Sequence, residues 1–187
     1  MRRLWMWMRM WTVRWIVVAL LVSGGAVPAA AHDESQKDDP ELQREVTRAE
    51  YANMLASQLK LEADKKTSYP DTDTHWAKDY IGAVCKAGLM TTYKGKFSPD
   101  AVITMEQAAV VMVRVLELPT DGVEAPKGRN ISSWAEAYVA AALQQGAFPD
   151  AADFTKPLTF YDAITTMETI ENYITEKEVW KKLRQLK

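Results

Sequence analysis

The sequence has 187 residues and a formal net charge of −2 at pH 7, with 23 basic residues against 25 acidic ones. This balance argues against a nucleic-acid-binding protein, because such proteins present a basic surface to the phosphate backbone. A single cysteine excludes an intramolecular disulfide, and two histidines leave little material for a catalytic or metal-binding cluster.

Residues 1–31 have the layout of a signal peptide. Four arginines, at positions 2, 3, 9 and 14, precede the apolar segment 15–22, and three alanines at 29–31 offer a small-residue cleavage site. We therefore expect export, cleavage after Ala31 and no membrane association after cleavage. The alternative is that the segment is retained as a membrane anchor.

A polar, charge-rich segment, residues 32–45, follows and is expected to be a flexible leader. The first predicted helix begins at Arg48 and runs to about Leu61. Thr47 is its predicted N-cap, and Glu50 completes a capping box, in which each side chain bonds the other residue's backbone N–H. Residues 46–62 are therefore read as one partial unit.

A complete unit covers residues 69–118. Its first helix is expected from His75 to Gly88, with apolar residues at helical spacing and a glycine that permits a left-handed C-terminus. A turn-rich loop, residues 93–100, leads to a second helix that Thr104 and Gln107 cap in the same way as Thr47 and Glu50.

The unit repeats along the chain. Threonine caps stand at 47, 104 and 159, and the Trp-Ala pair at position 76 returns at 134. Gly88 and Gly146 each follow their tryptophan by twelve residues. Residues 129–174 therefore form a divergent third unit, and the chain is predicted to be mainly α, built from repeated helix–loop–helix units.

Residues 175–187 are expected to form a separate C-terminal helix. Val179, Trp180, Leu183 and Leu186 share one helical face. The helices predicted at the Trp-Ala pairs of positions 76 and 134, which we call the tryptophan helices, each precede one of the other two capped helices. We expect the C-terminal helix to take the corresponding place beside the first capped helix, near Tyr51 and Met54. A solvated tail is the alternative, because thirteen residues are marginal as an isolated helix.

The pattern D-x-x-x-H-W-A-x-x-x-I, followed by a glycine, G-x-F-x-P and I-T-x-x-Q, resembles the S-layer homology (SLH) repeat of bacterial surface proteins. The likeness extends over residues 46–173. It implies a pseudo-three-fold bundle in a secreted protein of the cell wall or cell surface. The residues that carry it are Asp71, His75, Trp76, Ala77, Gly88, Gly95, Phe97, Pro99, Ile103 and Thr104, with Thr47-Arg48-Ala49-Glu50 matching the T-R-A-E signature.

Arg48 is the leading candidate for a functional residue. A cation at a helix N-terminus opposes the helix dipole, so a compensating anion is expected nearby. From the residues alone that anion is a ligand, Glu50 or an aspartate, and a solvated side chain is a further alternative. The resemblance implies that Arg48 helps to hold an acidic, pyruvylated sugar of the secondary wall polymer in a groove between units.

The candidate glycan-binding set, on this resemblance, is Arg48, Asp71, Trp76, Lys94 and Gly95. For Trp76, as for Trp134, the alternative is a buried core position, which is usual for tryptophan. Met105 and Phe160 replace the arginine in the second and third units, so at most one groove is equipped for an acidic sugar.

The predicted function is non-covalent binding of cell-wall glycan by a protein that is no enzyme and uses no cofactor or metal. Cys85 is expected to be a buried structural thiol. The alternative is a degenerate SLH-like module that has lost glycan binding and serves interaction or assembly. Secondary wall polysaccharide is the expected partner, with other surface proteins as a second class.

Overall fold

Five helices account for the regular structure in the computed structural model. The model describes residues 39–124, 126–148 and 151–185, with side chains up to 178 and at Lys181. The helices are α1 (Arg48–Gln58), α2 (Lys78–Lys86), α3 (Met105–Leu116), α4 (Glu136–Gln144) and α5 (Phe160–Gln185). Within these ranges extended backbone pairs only as isolated bridges. The predicted mainly helical fold is therefore confirmed.

All described residues belong to one compact unit, residues 36–187. The predicted signal peptide, residues 1–31, lies outside the described residues, as does the first part of the leader.

Three helices begin with the predicted caps. In α1 the Thr47 hydroxyl accepts from the Glu50 N–H at 3.2 Å, while the Thr47 N–H donates to the Glu50 carboxylate at 2.9 Å. The cap of α3 has the same reciprocal bonds between Thr104 and Gln107. Before α5, Thr159 accepts from the Asp162 N–H at 3.1 Å. Each cap satisfies first-turn N–H groups that a helix leaves without intrahelical partners.

The residue before each cap joins the three units through a closed cycle of backbone hydrogen bonds. Val46 N–H donates to Leu158 O at 3.0 Å, Leu158 N–H to Ile103 O at 2.8 Å, and Ile103 N–H to Val46 O at 3.0 Å. All three side chains are fully buried. The pseudo-three-fold bundle as a whole stays a prediction, and this cycle is the observation that supports it.

The first two N–H groups of each capped helix donate to carbonyl oxygens in the segment that precedes the cap of another unit. The N–H groups of Arg48 and Ala49 donate to carbonyl oxygens of Ala101 and Pro99, at 2.8 and 2.9 Å. We call this contact the first junction. In the second junction α3 bonds Lys156 and Phe154, and in the third junction α5 bonds Arg44 and Leu42.

The third junction changes the interpretation of the leader. Residues 39–45 were expected to be flexible, yet Leu42 and Arg44 supply the carbonyl groups that the first turn of α5 requires. The polar composition of this segment is explained by its role as a backbone acceptor, which needs no apolar side chains.

The tryptophan helices start later than the sequence suggests. Residues 71–77 form turns, and α2 begins only at Lys78; α4 likewise begins at Glu136, beyond Trp134. Neither N-cap, Ala77 or Ala135, bonds its helix through a side chain. The glycine stops are as predicted, with φ of 72° at Gly88 and 80° at Gly146.

The connector between α1 and α2 packs closely against α2. A Cβ atom at Gly82 would stand 2.5 Å from the backbone oxygen of Asp64. The Asp64 carboxylate accepts from the N–H of Lys66 at 2.9 Å and the hydroxyl of Thr67 at 2.8 Å. Gly82 is therefore required by the close approach of two backbones.

The prediction of two separate C-terminal helices, divided at 174/175, differs from the structure. A single 26-residue helix, α5, runs through that boundary. No glycine or proline interrupts it, and glutamate and lysine, both good helix formers, follow Thr175.

Besides α2, α1 contacts α5, where Gln58 donates to the Glu171 carboxylate at 3.1 Å. Farther along, Lys177 and Glu178 line a shallow cleft with Val115, Leu116 and Glu117 at the end of α3. The side chains of Val179, Trp180 and Leu183, and the whole of Leu186, lie outside the described residues. A contact between Trp180 and Tyr51 therefore stays a prediction.

One hydrophobic cluster lies between the helices. Tyr51, at the fourth position of α1, is its largest fully buried side chain, whereas Ala108 and Ala163 hold the equivalent positions of α3 and α5. Among the described residues the Tyr51 hydroxyl has no hydrogen-bond partner. Burial raises the pKa of Tyr51 above its ordinary value, so the phenol stays neutral.

Candidate functional site

Arg48 lies at the first junction and is held by the loop of the second unit. Its Nε donates to the carbonyl oxygen of Phe97 at 2.9 Å, and its Nη2 donates to that of Thr91 at 2.8 Å. The guanidinium carbon stands 4.6 Å from the centre of the Phe97 ring, in cation–π geometry. The alternative of an ion pair between Arg48 and Glu50 is not observed, since Glu50 pairs with Arg44 at 3.0 Å.

A guanidinium has five N–H donors arranged in a rigid planar fork. The two bonds of Arg48 use Nε and one hydrogen of Nη2, and Nη1 has no hydrogen-bond partner among the described residues. The outer end of the fork, formed by Nη1 and Nη2, is therefore available to an acceptor. Burial lowers the pKa of Arg48, while Cys85 and Asp71 raise it, and an arginine in a protein stays charged.

Asp71 holds the same loop from the opposite side. One carboxylate oxygen accepts from the Phe97 N–H at 3.1 Å and the other from the Ser98 N–H at 2.6 Å. Burial acts to raise the pKa of Asp71, but these two hydrogen bonds and the charge of Lys96 outweigh it, so the pKa lies below its ordinary value. The carboxylate is therefore ionised at neutral pH and is already occupied by backbone donors.

Lys94 and Gly95 form the tip of this loop. Tyr93 and Lys96 exchange two backbone hydrogen bonds of 2.9 and 3.0 Å, which leaves a two-residue turn between them. Both turn residues have positive φ, 49° and 75°, as a type I′ turn requires. Gly95 thus has a conformational role. Lys94 is exposed, and its ammonium group lies 5.2 Å from the centre of the Tyr93 ring.

The alternative that Trp76 and Trp134 are buried core residues is wrong. Their side chains are 60% and 54% exposed. Both precede the first turn of a helix, outside the repeating apolar face, which explains why the usual burial of tryptophan does not apply. An exposed aromatic ring is suited to stacking against a ligand.

The structure brings Arg48 and Asp71 together at Phe97, and places Lys94 and Gly95 at the tip of the same loop. Trp76 precedes α2 and neither stacks nor hydrogen-bonds with Arg48; its ring lies 5.5 Å from that of His75. The His75 Nε2 is 3.3 Å from Asp100, and its Nδ1 accepts from the Ala77 N–H.

Sequence reasoning missed the loop residues that orient Arg48. Phe97 was assigned only as part of a pattern, and Thr91 and Ser98 were not singled out. Thr91 and Phe97 act through backbone carbonyls, which no side-chain motif can reveal. The left-handed φ of 57° at Ser98 likewise has no signal in the residue type.

The second junction has a different arrangement of charge. Met105 replaces the arginine on the helix, and Arg129 donates from within the third unit to the carbonyl oxygens of Phe148, at 3.4 Å, and Ala151. Arg129 stands 58 residues after Asp71, the same interval that separates Trp76 from Trp134. Arg129 thus bonds the loop of the third unit, whereas in the first junction the corresponding loop is bonded by Asp71 and Arg48.

In the third junction the aromatic residue is on the helix and the arginine is on the leader. The Arg44 guanidinium carbon lies 4.4 Å from the centre of the Phe160 ring. Arg44 also bonds the Glu50 carboxylate, so its charge is balanced within the protein.

Cys85 is half-buried rather than fully buried, and burial raises the pKa of its thiol while Tyr69 and Arg48 lower it. The thiol is therefore protonated and a poor nucleophile at neutral pH. Within the described residues no group of three or more His, Cys, Asp or Glu side chains is placed to hold a metal ion.

Comparison with known proteins identifies the unit that contains the candidate site residues other than Arg48. The S-layer homology domain family matches residues 68–109, from the connector through Asp71 and the loop to the first half of α3. Residues 68–109 are an S-layer homology domain. The remaining SLH-like units, before and after it, rest on the internal repeat.

Three relatives illustrate the similarity of the chain. It is 34% identical over 94 residues to the S-layer protein sap of Bacillus anthracis and 38% identical over 100 residues to an endoglucanase of Bacillus sp. strain KSM-635. It is 27% identical over 139 residues to the surface-layer 125 kDa protein of Lysinibacillus sphaericus. These alignments include 48%, 49% and 68% of this chain.

The same alignments include only 12%, 10% and 12% of the three relatives, so the chain spans about a tenth of their length. With its SLH domain and its S-layer relatives, the chain is a secreted protein associated with the cell surface. In the described part of the chain, none of the helices combines the length and the apolar character that a membrane span needs.

Proposed function

We propose that this SLH protein binds an acidic sugar of the secondary cell-wall polymer, non-covalently, at the first junction. The observation that carries the proposal is the orientation of Arg48. Two of its donors are fixed on the carbonyl groups of Thr91 and Phe97, and the outer end of the fork is left to a ligand.

A carboxylate on a sugar matches this donor arrangement. Two parallel N–H···O bonds from one guanidinium to one carboxylate are both charge-assisted and geometrically selective. Because Arg48 is already held in place, little side-chain entropy is lost on binding. A pyruvylated sugar carries such a carboxylate on a neutral ring.

Neighbouring groups suit the rest of such a ligand. Lys94 adds a second positive charge at the loop tip, and the exposed ring of Trp76 offers an apolar face to a sugar. Lys94, Gly95 and Trp76 remain proposed ligand-contacting residues together with Arg48, and Asp71 remains a proposed site residue that supports the loop. The site uses no cofactor.

We propose no catalytic role. The two charged groups at the first junction, Arg48 and Asp71, are both held by backbone groups, which suits recognition rather than proton transfer. One of the three relatives is an endoglucanase, but the alignment includes only 10% of it. Such a short alignment gives no reason to assign its activity to this chain.

A second function, an assembly or protein-interaction module without glycan binding, is favoured by one observation. Two of the three junctions lack an arginine on the helix, with Met105 and Phe160 in its place. If the first junction were also inactive, the exposed Trp76 and Trp134 would be the natural contacts for another surface protein.

The test is cosedimentation of the secreted chain with wall sacculi of the host bacterium. One sample retains its secondary polymer and the other is stripped of it. We expect sedimentation with the polymer-bearing sacculi alone. Equal sedimentation with both samples would indicate another wall component, and sedimentation with neither would overturn glycan binding and favour the assembly module.

A further inference from the structure

Three separate contacts fix one residue, Phe97, at the first junction. Its N–H donates to Asp71, its carbonyl oxygen accepts from Arg48 Nε, and its ring lies under the Arg48 guanidinium. Phe97 itself is 1% exposed. Asp71 belongs to the second unit and Arg48 to the first, so Phe97 transmits the position of one to the other.

The loop around Phe97 has a conformation that needs external support. Lys94, Gly95 and Ser98 all have positive φ, and Lys94 and Ser98 are residues that disfavour this region. The Asp71 carboxylate accepts hydrogen bonds from the N–H groups of Ser98 itself and of Phe97, the residue before it. Two charge-assisted hydrogen bonds therefore stabilise the strained segment.

We propose that Asp71 is a positioning residue that orients the Arg48 fork through Phe97, and that it does not itself contact the ligand. The role of Asp71 in ligand affinity rests on the proposed function, whereas its effect on Arg48 is a property of the unliganded protein. Asp71 has no hydrogen bond to Arg48, and both of its carboxylate oxygens already accept from backbone N–H groups.

The proposal makes a specific claim about removing the charge of Asp71. An Asp71→Asn side chain has nearly the same shape, but its amide group directs an N–H donor at a backbone N–H donor. The loop then loses one of its two supports, the carbonyl oxygen of Phe97 moves, and Arg48 Nε loses its acceptor. Nothing in this sequence of events requires a ligand.

The matched control is Asp73→Asn. Asp73 lies two residues away, is exposed, and bonds Ser68 and, at 3.1 Å, Lys78. It forms no hydrogen bond or ion pair with residues 93–98, so the same chemical change there should leave the loop in place.

The experiment records the NMR resonance of the Arg48 Nε–H group in the unliganded secreted chain. We expect Asp71→Asn to shift this resonance and to accelerate its exchange with water by about tenfold, in keeping with the loss of a hydrogen-bonded state. Asp73→Asn should change neither. An unchanged Arg48 resonance in folded Asp71→Asn protein overturns the proposal.

If the Asp71→Asn variant does not fold, the parent protein provides the same test by titration. The hydrogen bonds from Ser98 and Phe97 outweigh burial and hold the pKa of Asp71 below its ordinary value. On acidification the Arg48 Nε–H resonance should move together with the carboxyl resonance of Asp71, at that lowered pKa. Independent titration of the two signals would contradict the coupling.

Binding to polymer-bearing sacculi completes the test. Asp71→Asn should weaken binding about tenfold through the misplaced fork, while Asp73→Asn binds as the parent does. Should the parent fail to bind, the proposed function fails, and the Arg48 resonance still decides the positioning role. A shifted resonance with unchanged binding would refute Asp71 as a positioning residue for the ligand.

Discussion

The first and second junctions share a backbone and differ in side chains. In both, the first two N–H groups of a capped helix donate to carbonyl oxygens of the following loop. In the first, Arg48 reaches from the helix across to the loop, and the outer end of its guanidinium remains available. In the second, Met105 stands on the helix and Arg129 braces the loop from within its own unit.

The comparison teaches that the backbone contacts recur with the repeat, whereas the arginine that carries the proposed recognition occurs on one helix alone among α1, α3 and α5. The cap residues and the apolar residue before each cap recur, and the backbone groups of those apolar residues form the cycle of hydrogen bonds. The arginine on the helix does not recur. A bundle can therefore retain its architecture with one functional groove.

The largest expected effect is on ligand affinity and comes from Arg48→Ala. Losing one charge-assisted contact should cost about 1.5–3 kcal/mol, or roughly tenfold to a hundredfold in binding to polymer-bearing sacculi. Met105→Ala, at the equivalent helix position of the second junction, serves as the control and should bind as the parent does. Equal losses in both variants would remove the distinction between the junctions.

The next largest effect is on the free energy of unfolding, and it should distinguish the two tryptophan helices, α2 and α4. Gly82 in α2 lies against the Asp64 backbone, whereas its counterpart in α4 is Ala140. Gly82→Ala should lower the free energy of unfolding in urea by about 1–3 kcal/mol, because the added methyl group meets a backbone oxygen.

The reverse change, Ala140→Gly, should cost about 1 kcal/mol by helix propensity alone. A Gly82→Ala protein as stable as the parent would show that the connector does not pack on α2 in this way.

A smaller effect distinguishes the two exposed tryptophans. Burying one face of an aromatic ring against a sugar contributes about 1 kcal/mol, so Trp76→Ala should weaken sacculus binding roughly fivefold. Trp134→Ala is the matched control, since it is similarly exposed and precedes α4 as Trp76 precedes α2. A loss confined to Trp134→Ala would move the site to the third unit.

The smallest effect concerns Tyr51 in the hydrophobic cluster, since the equivalent positions of α3 and α5 hold alanine. Because no described residue bonds its buried hydroxyl, Tyr51→Phe should leave the free energy of unfolding unchanged or raise it by up to about 1 kcal/mol. Tyr69→Phe, which removes a hydroxyl that bonds Cys85, should lower it instead. A marked destabilisation by Tyr51→Phe would mean that its hydroxyl has a partner.

Local sequence signals predicted much of the fold. Threonine followed three residues later by glutamate, glutamine or aspartate located the starts of α1, α3 and α5, because a capping box depends on neighbouring residues only. The continuity of α5 was missed, since the expected break rested on the repeat length rather than on a helix-breaking residue. The role of residues 39–45 was missed because backbone acceptors have no residue signature.

The candidate site was predictable only in part. Arg48 was identified from its unfavourable place at a helix start, and the structure gives the physical reason, which is a pair of loop carbonyl groups rather than an acidic partner. Asp71 was identified from a motif, but its bonds to two backbone N–H groups depend on the fold of a loop 26 residues later. Long-range backbone contacts of this kind cannot be deduced from residue spacing.

The most direct test of a single functional groove is an NMR titration of the secreted chain with secondary polymer released from the host's sacculi. The account predicts shifts in the amide signals of Phe97 and Ser98 and in the Arg48 Nε–H signal, with the amides of residues 151–156 unchanged. Equal shifts at both junctions, shifts at the second junction alone, or no shift at either would contradict it.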